Sequence, residues 1–381
     1  MSLTSGLRLT VLAGPTLPAP LTVDLAERVR SVTVTESDEE RSVFSLVLDA
    51  EGQAPGAPTP FGAGFALAPF SRVSIVVTFG PLPAMLFDGV VTESRLEPGA
   101  GGAGATWVIT GEDLGNLLDR EERDVEHPGL DDYPVVLAML APYAAHGLLP
   151  AVTPPPTMDP PLPIDRIPTQ HGTDLAHLVA LAERHGYVAY ATPGALPGTS
   201  LFYWGPPVRL GVPQPALAAN MGHDSSVTQI DIRTEATAPT TVSGNVMDRR
   251  TGSQTPVEAP APTRAPLAAV PFAAANATNL RSRRLRDASS NTVAAQARAQ
   301  GQVDAASDAV TAEGSADGAR YGSVLRSRAL VGLRGVGWEN DGVWYCKRVE
   351  HSFTMGAYSL AFTLTRDGHG ATTPVLPRAA S

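Results

Sequence analysis

Three histidines, His171, His177 and His185, lie close enough in the sequence to suggest a metal site, because imidazole is a common metal ligand. His177, however, falls outside the apolar stripe of the helix predicted around it. We therefore expect these histidines to face solvent, and we predict no metal site. The single Cys346 cannot form an internal disulfide and lacks the partners of a zinc site, so we expect it to be a buried strand residue.

Other motifs of cofactor binding are absent or lie in the wrong context. The only lysine is Lys347, which excludes a phosphate-binding loop with Gly-Lys-Ser/Thr. Residues 99–104 have the glycine spacing of a dinucleotide fingerprint, but they lie between two predicted strands and not before a helix, so we interpret them as a hairpin loop. The acidic runs at 37–40 and 121–124 lack the ligand pattern of a calcium loop and are interpreted as solvated loops.

Nothing in the sequence therefore indicates catalysis. We predict no catalytic, cofactor-binding or metal-binding residues and classify the chain as a non-enzyme. An enzymatic alternative, a cell-wall hydrolase, stays open because paired catalytic carboxylates need no fixed local spacing.

One basic cluster remains as a candidate contact surface. It comprises Arg281, Arg283, Arg284 and Arg286. The formal net charge of −10 argues against nucleic-acid binding, which requires clustered positive charge over a wide surface. We therefore favour an intersubunit or helix-flanking role for these arginines.

The elements that must position these residues are mostly strands. Alternating apolar residues predict strands at 43–48, 72–79 and 106–110, and again at 227–232 and 240–246. Three more strands are predicted near the end of the chain, at 329–333, 343–349 and 359–365. The predicted fold class is therefore α+β and mainly β, with two tube-like β-barrel domains, an intervening α/β domain and long loops.

The best-formed helix is predicted from Thr173 to His185. Thr173 or Asp174 serves as its N-cap, and Gly186 follows its end. Its predicted core residues are Leu175, Leu178, Val179 and Ala182.

The predicted domains follow from these patterns. Residues 1–110 form the first barrel, 111–201 an outer α/β domain, and 202–248 with 321–370 the second barrel. Residues 249–320 are predicted to be a Pro- and Ala-rich excursion with an Ala-rich helix, and 371–381 a flexible tail.

Length and composition agree with a folded protein. The chain has 381 residues, of which 43% are hydrophobic and 17% charged, which is enough for two or more cores. Residues 1–13 do not resemble a signal peptide, and no apolar run reaches the ~18 residues that span a bilayer. We expect the protein to be cytoplasmic.

Three stretches resemble one known family. They are residues 167–190 (IPTQHGTDLAHLVALAERHGYVAY), 240–251 (TTVSGNVMDRRT) and 312–366, which contains a Gly-rich turn followed by GVWYCKRVEH. In this order they are similar to the hub proteins of contractile injection systems, which include the phage late control D proteins and the N-terminal part of the type VI secretion spike protein. The matching residues, for which the resemblance implies a structural role, are Thr173, Asp174, Leu175, Glu183, Gly186, Tyr187, Gly335, Gly337, Gly342, Tyr345, Val349 and His351.

The resemblance implies a function as well as a fold. Such hubs are homotrimers whose two tube-like domains alternate around a ring, so that a six-fold inner tube meets a three-fold spike. The implied partners are the chain itself, an inner tube protein, a separate spike protein and baseplate wedge components. Spike proteins of type VI systems continue into a spike domain, whereas this sequence ends at Ser381, so we expect the spike to be a separate chain. The structural alternatives are a tube subunit or a spike subunit. A tube subunit should be hexameric and carry one barrel, so the oligomeric state distinguishes it.

Overall fold

The first third of the chain forms strands around one short helix. The computed structural model describes residues 2–4, 7–50, 65–98, 104–156, 158, 167–247, 253–285 and 292–372. Val73, Ile75 and Val77 are fully buried on one face of their strand, as the alternation predicts. The elements are β1 (Ser2–Thr4), β2 (Leu7–Gly14), β3 (Ala19–Pro20), α1 (Val23–Arg28), β4 (Val29–Ser37), β5 (Val43–Asp49), β6 (Arg72–Phe79), β7 (Leu82–Glu97) and β8 (Thr106–Asp113).

The middle of the chain is mixed. It packs two helices and two small sheets around their own core, which includes Leu178, Phe202 and Trp204. Short 3-10 helices at Leu114–Asp119 and Ala141–His146 complete it. The elements are β9 (Glu122–Glu126), α2 (Asp132–Leu140), β10 (Leu148–Val152), β11 (Thr169–Thr173), α3 (Asp174–Arg184), β12 (Val188–Pro193) and β13 (Ser200–Gly205).

The remainder returns to strands. Short 3-10 helices lie at Gly222–Asp224 and Ala277–Asn279. The elements are β14 (Gln214–Ala218), β15 (Val227–Thr234), β16 (Thr240–Met247), β17 (Gln254–Ala259), β18 (Ala268–Pro271), α4 (Phe272–Ala275), β19 (Arg281–Arg284), α5 (Thr292–Ala305), β20 (Val310–Asp317), α6 (Gly318–Tyr321), β21 (Ala329–Arg334), β22 (Gly342–Thr354), β23 (Ala357–Arg366) and β24 (Gly368–Ala371).

One 14-stranded sheet runs through both strand-rich regions of the chain. Its main path is β1-β2-β6-β7-β8-β5-β4-β22-β23-β20-β15, with β21 beside β22, β14 beside β21, and β3 beside β2. The two regions join where β4 pairs antiparallel with β22, from Ser37 opposite Arg348 to Ser31 opposite Thr354. A single apolar core lies under both regions. The predicted mainly β, α+β class is confirmed; among the described strands the pairing follows an open path and not a closed ring.

Residues 249–320 differ from the predicted excursion. β17 pairs antiparallel with β16, β19 pairs parallel with β16, and α5 covers this three-stranded sheet. Pro256 fits within β17 because β17 is an edge strand of that sheet, where a missing N–H is tolerated. The strand β16, expected in the second barrel, therefore belongs to this separate small sheet, while β20, expected in the excursion, lies in the large sheet.

Helix α3 begins and ends where the sequence predicts. The Thr173 hydroxyl accepts a hydrogen bond from the Ala176 N–H at 3.3 Å. At the other end Gly186 has φ +64, and the N–H groups of Gly186 and Tyr187 donate to Glu183 and Ala182. This is the Schellman pattern, which needs a left-handed residue. The buried face differs by one position from the prediction: Leu178, Leu181 and Ala182 are buried, whereas Leu175 and Val179 are half-buried.

Two smaller predictions concern β-hairpins and the lone thiol. β7 and β8 pair antiparallel up to Glu97 and Thr106, so the Gly-rich stretch joins a hairpin, although residues 99–103 themselves lie outside the described residues.

Cys346 is fully buried in β22, as expected. Residues 157, 159–166, 286–291 and 373–381 also lie outside the described residues, and with them Arg286 and most of the predicted tail.

The contact between α3 and α5 yields a prediction. Gly301 lies within α5, and a Cβ added there would come within 2.6 Å of the Gly186 backbone nitrogen. Helix propensity alone predicts that Gly301→Ala stabilises the protein by about 1 kcal/mol. We expect the reverse, a loss of about 1–3 kcal/mol in the free energy of unfolding, because backbone atoms must move apart.

Urea denaturation measures this effect, and Gln302→Ala at a neighbouring exposed position of the same helix is the control. A Gly301→Ala protein as stable as the control or more stable would contradict the close packing of the two helices.

Candidate functional site

A buried ionic cluster lies where β4, β22 and the middle region meet. Glu36 at the end of β4 is 4% exposed and accepts hydrogen bonds from Arg326 Nη1 at 2.7 Å and from the Ser327 N–H at 3.2 Å. Arg328 is also buried and donates to the carbonyl oxygen of Ser37 at 2.8 Å. Because these residues come from opposite ends of the chain, the cluster ties the two strand-rich regions together.

Arg328 extends the same cluster into the middle region. Its guanidinium donates to the carbonyl oxygen of Ala191 at 3.1 Å and to the Ser42 hydroxyl at 3.2 Å. The guanidinium carbon lies 3.9 Å from the centre of the Tyr190 ring, within the range of a cation–π contact. Arg328 itself has φ +62, a region that non-glycine residues rarely adopt. We call Glu36, Arg326, Arg328 and Tyr190 the junction cluster.

The electrostatics of the junction cluster favour mutual neutralisation. Burial acts to raise the pKa of Glu36, but the guanidinium groups of Arg326 and Arg328 outweigh it and hold that pKa below its ordinary value. Burial raises the pKa of Tyr190, so its hydroxyl stays protonated. The charged groups therefore compensate one another and provide structure, because none is left free as a nucleophile or base.

A cleft of about 530 Å³ opens beside the junction cluster. Glu36 is the one carboxylate among its described lining residues, and it is already bound to Arg326. A glycoside hydrolase needs two carboxyl groups flanking its substrate. The cleft therefore lacks the arrangement that the hydrolase alternative requires.

A second buried ionic group joins β6 and β7 to the middle region. Arg72 forms an ion pair with Asp88 and donates to the carbonyl oxygen of His146 at 2.7 Å. Asp88 also accepts from the hydroxyl of Ser74 at 2.7 Å and from that of Ser200 at 2.6 Å. Such a fully satisfied network fixes the orientation of the middle region on the sheet.

The three histidines do not form a site. His171 is exposed and lies 2.7 Å from Asp124, as expected for a solvent-facing residue. The prediction is wrong for the other two: His177 is 8% exposed and stacks against His127, while His185 Nε2 lies 2.9 Å from Asp132. His177 is buried because the buried face of α3 is shifted from the predicted one, and His185, the C-cap residue of α3, packs against Tyr187 and Trp204. Within the described ranges no group of three potential metal ligands occurs.

The predicted motif residues in and around α3 make contacts that stabilise the middle region. Asp174 is buried and accepts from Gln170 Nε2 at 2.6 Å and from the Tyr143 hydroxyl at 2.7 Å. The ring of Tyr187 packs edge-on against Trp204. Thr173 caps the helix and Gly186 ends it, whereas Leu175 is half-buried and Glu183 is exposed.

The second group of motif residues lies in β22 and in the loop that precedes it. Gly335, Gly337 and Gly342 all have positive φ, and a Cβ on Gly335 would fall 1.8 Å from the Ala219 carbonyl oxygen. Tyr345 and Val349 are buried in β22. The motif residues thus support two parts of the fold, and four of them, Glu183, Gly186, Tyr187 and Tyr345, line one cleft of about 870 Å³.

His351 is fully buried in the same strand. Its Nδ1 lies 2.9 Å from the Tyr358 hydroxyl. Burial lowers the pKa of His351 to about 4, although Glu36 acts in the opposite direction. The ring is therefore neutral near pH 7 and serves packing.

Sequence reasoning missed the residues that join the regions. Glu36 continues the inward-facing series of Val32 and Val34 in β4, so its carboxylate points to the core. Asp88 interrupts an apolar run in β7. A charged residue at an inward position of a strand was the available signal, because such a residue needs a buried partner.

Comparisons with known proteins show where this fold occurs. No family model matches the chain, and no curated protein matches its sequence. Among solved structures, a tail protein from Neisseria meningitidis is similar with a TM-score of 0.64 and 13% identity, over 95% of this chain and 97% of that one. The 43 kDa tail protein of prophage MuSo2 from Shewanella oneidensis matches with a TM-score of 0.64 and 12% identity, over 95% and 98%.

A third similar structure belongs to a secretion system. It is the E. coli c3393 protein, a component of the type VI secretion system, with a TM-score of 0.53 and 11% identity, over 92% of this chain and 77% of that one. At these identities the likeness shows a shared fold. That fold extends over nearly the whole chain and includes the middle region.

The junction cluster yields a stability prediction. Arg328→Ala removes a buried cation that serves Ser37, Ser42 and Ala191, so we expect a loss of about 3–5 kcal/mol in the free energy of unfolding. Chemical denaturation measures it, with Arg320→Ala as the control, because the ion pair of Arg320 with Asp317 is exposed and contributes less than about 1 kcal/mol. Equal stabilities of the two variants would contradict the structural role of the cluster.

Proposed function

We propose that this chain is a structural hub of a contractile injection system, a trimeric adapter that joins a six-fold inner tube to a three-fold spike. The observation that carries this proposal is the fold shared with phage tail proteins over 95% of the chain. The proposed partners are further copies of the chain, an inner tube protein, a separate spike protein and baseplate wedge components. We propose no enzymatic activity, because the buried charged groups described above are paired with one another.

The large sheet supports the adapter mechanism. Its two strand-rich regions meet within one chain through β4 and β22, and we propose that each region supplies one segment of a ring wall. Three chains would supply six such segments, which is the symmetry change an adapter needs. Within the described residues no helix is long and apolar enough to span a bilayer.

The end of the sheet at β15 supports assembly between copies. Among the described strands, β15 pairs only with β20. Along a strand, the N–H groups of successive residues point to opposite sides. The Glu235 N–H donates to the Ala309 carbonyl oxygen on the β20 side, so the Ile232 N–H, three residues earlier, points away from β20. An open row of N–H and C=O groups is a template for another strand. We propose that β15 pairs with a neighbouring copy.

The native mass tests the proposed function. The chain has a mass of 39.7 kDa, so a trimer has about 119 kDa. We expect this mass for the purified chain, or for the chain co-expressed with its neighbouring tail proteins. A stable hexamer would indicate a tube subunit, and a monomer under both conditions would contradict the proposal.

A matched pair of variants tests the role of β15 in the same measurement. Ile232→Pro removes the outward N–H and places the proline ring on the open edge, so we expect a monomer. Ile232→Ala loses the same side-chain packing but keeps the N–H, so we expect it to remain trimeric. A trimeric Ile232→Pro protein would contradict edge pairing through β15.

A further inference from the structure

The basic strand β19 lies at an open edge of the small sheet. It pairs with β16 on one side, and within the described residues nothing pairs on its other side. All four residues of its sequence Arg-Ser-Arg-Arg are exposed. The side chains of Arg281, Arg283 and Arg284 form no hydrogen bond or ion pair with the rest of the described chain, although the protein carries 38 acidic residues against 28 basic ones. Within the described residues, these three arginines therefore form a basic surface without an acidic partner.

An acidic strand of the middle region has the complementary character. β9 pairs only with β11 among the described strands, and Glu122, Asp124 and Glu126 are exposed on one of its faces. Asp124 contacts the exposed His171, whereas Glu122 and Glu126 contact no basic side chain of the described ranges. Arg123 faces the opposite side, toward Asp174.

The charges on the two strands are opposite in sign and equal in spacing. Side chains two positions apart lie about 6.6–6.8 Å from each other on one face of a strand. Arg281 and Arg283 have this spacing on β19, and so do Glu122, Asp124 and Glu126 on β9. Charged edges normally prevent strand pairing between copies. Here the basic edge of one copy repels the basic edge of another, and the acidic edges repel each other in the same way. A basic edge and an acidic edge attract each other.

We propose that β19 of one copy docks against β9 of a neighbouring copy. The contact joins two different surfaces, so successive copies form a ring when the rotation closes, as it does in the trimer. This inference rests on the proposed function. Exposed ion pairs contribute little energy individually, so the contact sets the orientation and register of neighbouring copies while other surfaces supply most of the affinity.

Charge reversal tests the contact. The first variant is Arg281→Glu with Arg283→Glu, the second is Glu122→Arg with Glu126→Arg, and the third combines all four changes. We expect each double variant to associate roughly tenfold more weakly than the wild type. The fourfold variant should regain most of that loss, because its two edges again carry opposite charges.

Analytical ultracentrifugation measures the association, at two salt concentrations because exposed charges are screened by salt. Arg95→Glu with Arg320→Glu is the control, since it changes the net charge by the same amount at exposed arginines away from β19. Circular dichroism and thermal unfolding establish that every variant is folded.

The outcomes separate the two proposals. A wild-type trimer that neither double variant weakens beyond the control overturns the docking contact and leaves the proposed function intact. The same holds if the fourfold variant associates no better than the double variants. A wild-type chain that stays monomeric with and without its neighbouring tail proteins overturns both.

Discussion

Arg328 links three distant parts of the chain through one buried guanidinium. Its guanidinium binds the chain at Ser37, Ser42 and Ala191, segments that lie between about 137 and 291 residues away in sequence. With Glu36 and Arg326 it fixes β4 against β22, and that pairing turns two strand-rich regions into one sheet. Buried charges of this kind are costly to leave unpaired, so their satisfied arrangement selects one relative position of the regions.

The strand regions and α3 could be predicted because their signals are local. Alternation places Val73, Ile75 and Val77 on one face whatever the partner strand is, and Thr173 and Gly186 mark the helix ends through their own backbone geometry. Residues 249–320 could not be predicted in the same way. β20 is rich in Ala and Gly, with little strand propensity of its own, and it becomes a strand because β15 and β23 pair on both sides.

The candidate site was harder to predict than the fold. The motif residues quoted from the sequence turned out to shape turns, caps and packing in two separate regions, whereas the ionic residues that connect those regions carry no local motif. Glu36 and Asp88 acquire their partners only through tertiary contacts. In this chain the family resemblance indicates the architecture, and the buried charges show how its parts are joined. The charged strands β9 and β19 belong to two of the small sheets and not to the large one.

The proposed hub requires that three copies of this chain present a six-fold surface at one end and a three-fold surface at the other. Electron microscopy of the chain co-assembled with its tube and spike proteins tests this symmetry. We expect a ring of three chains with six wall segments, stacked on a six-fold tube ring. Six chains in that ring, or one chain that contacts the tube on its side, would contradict it.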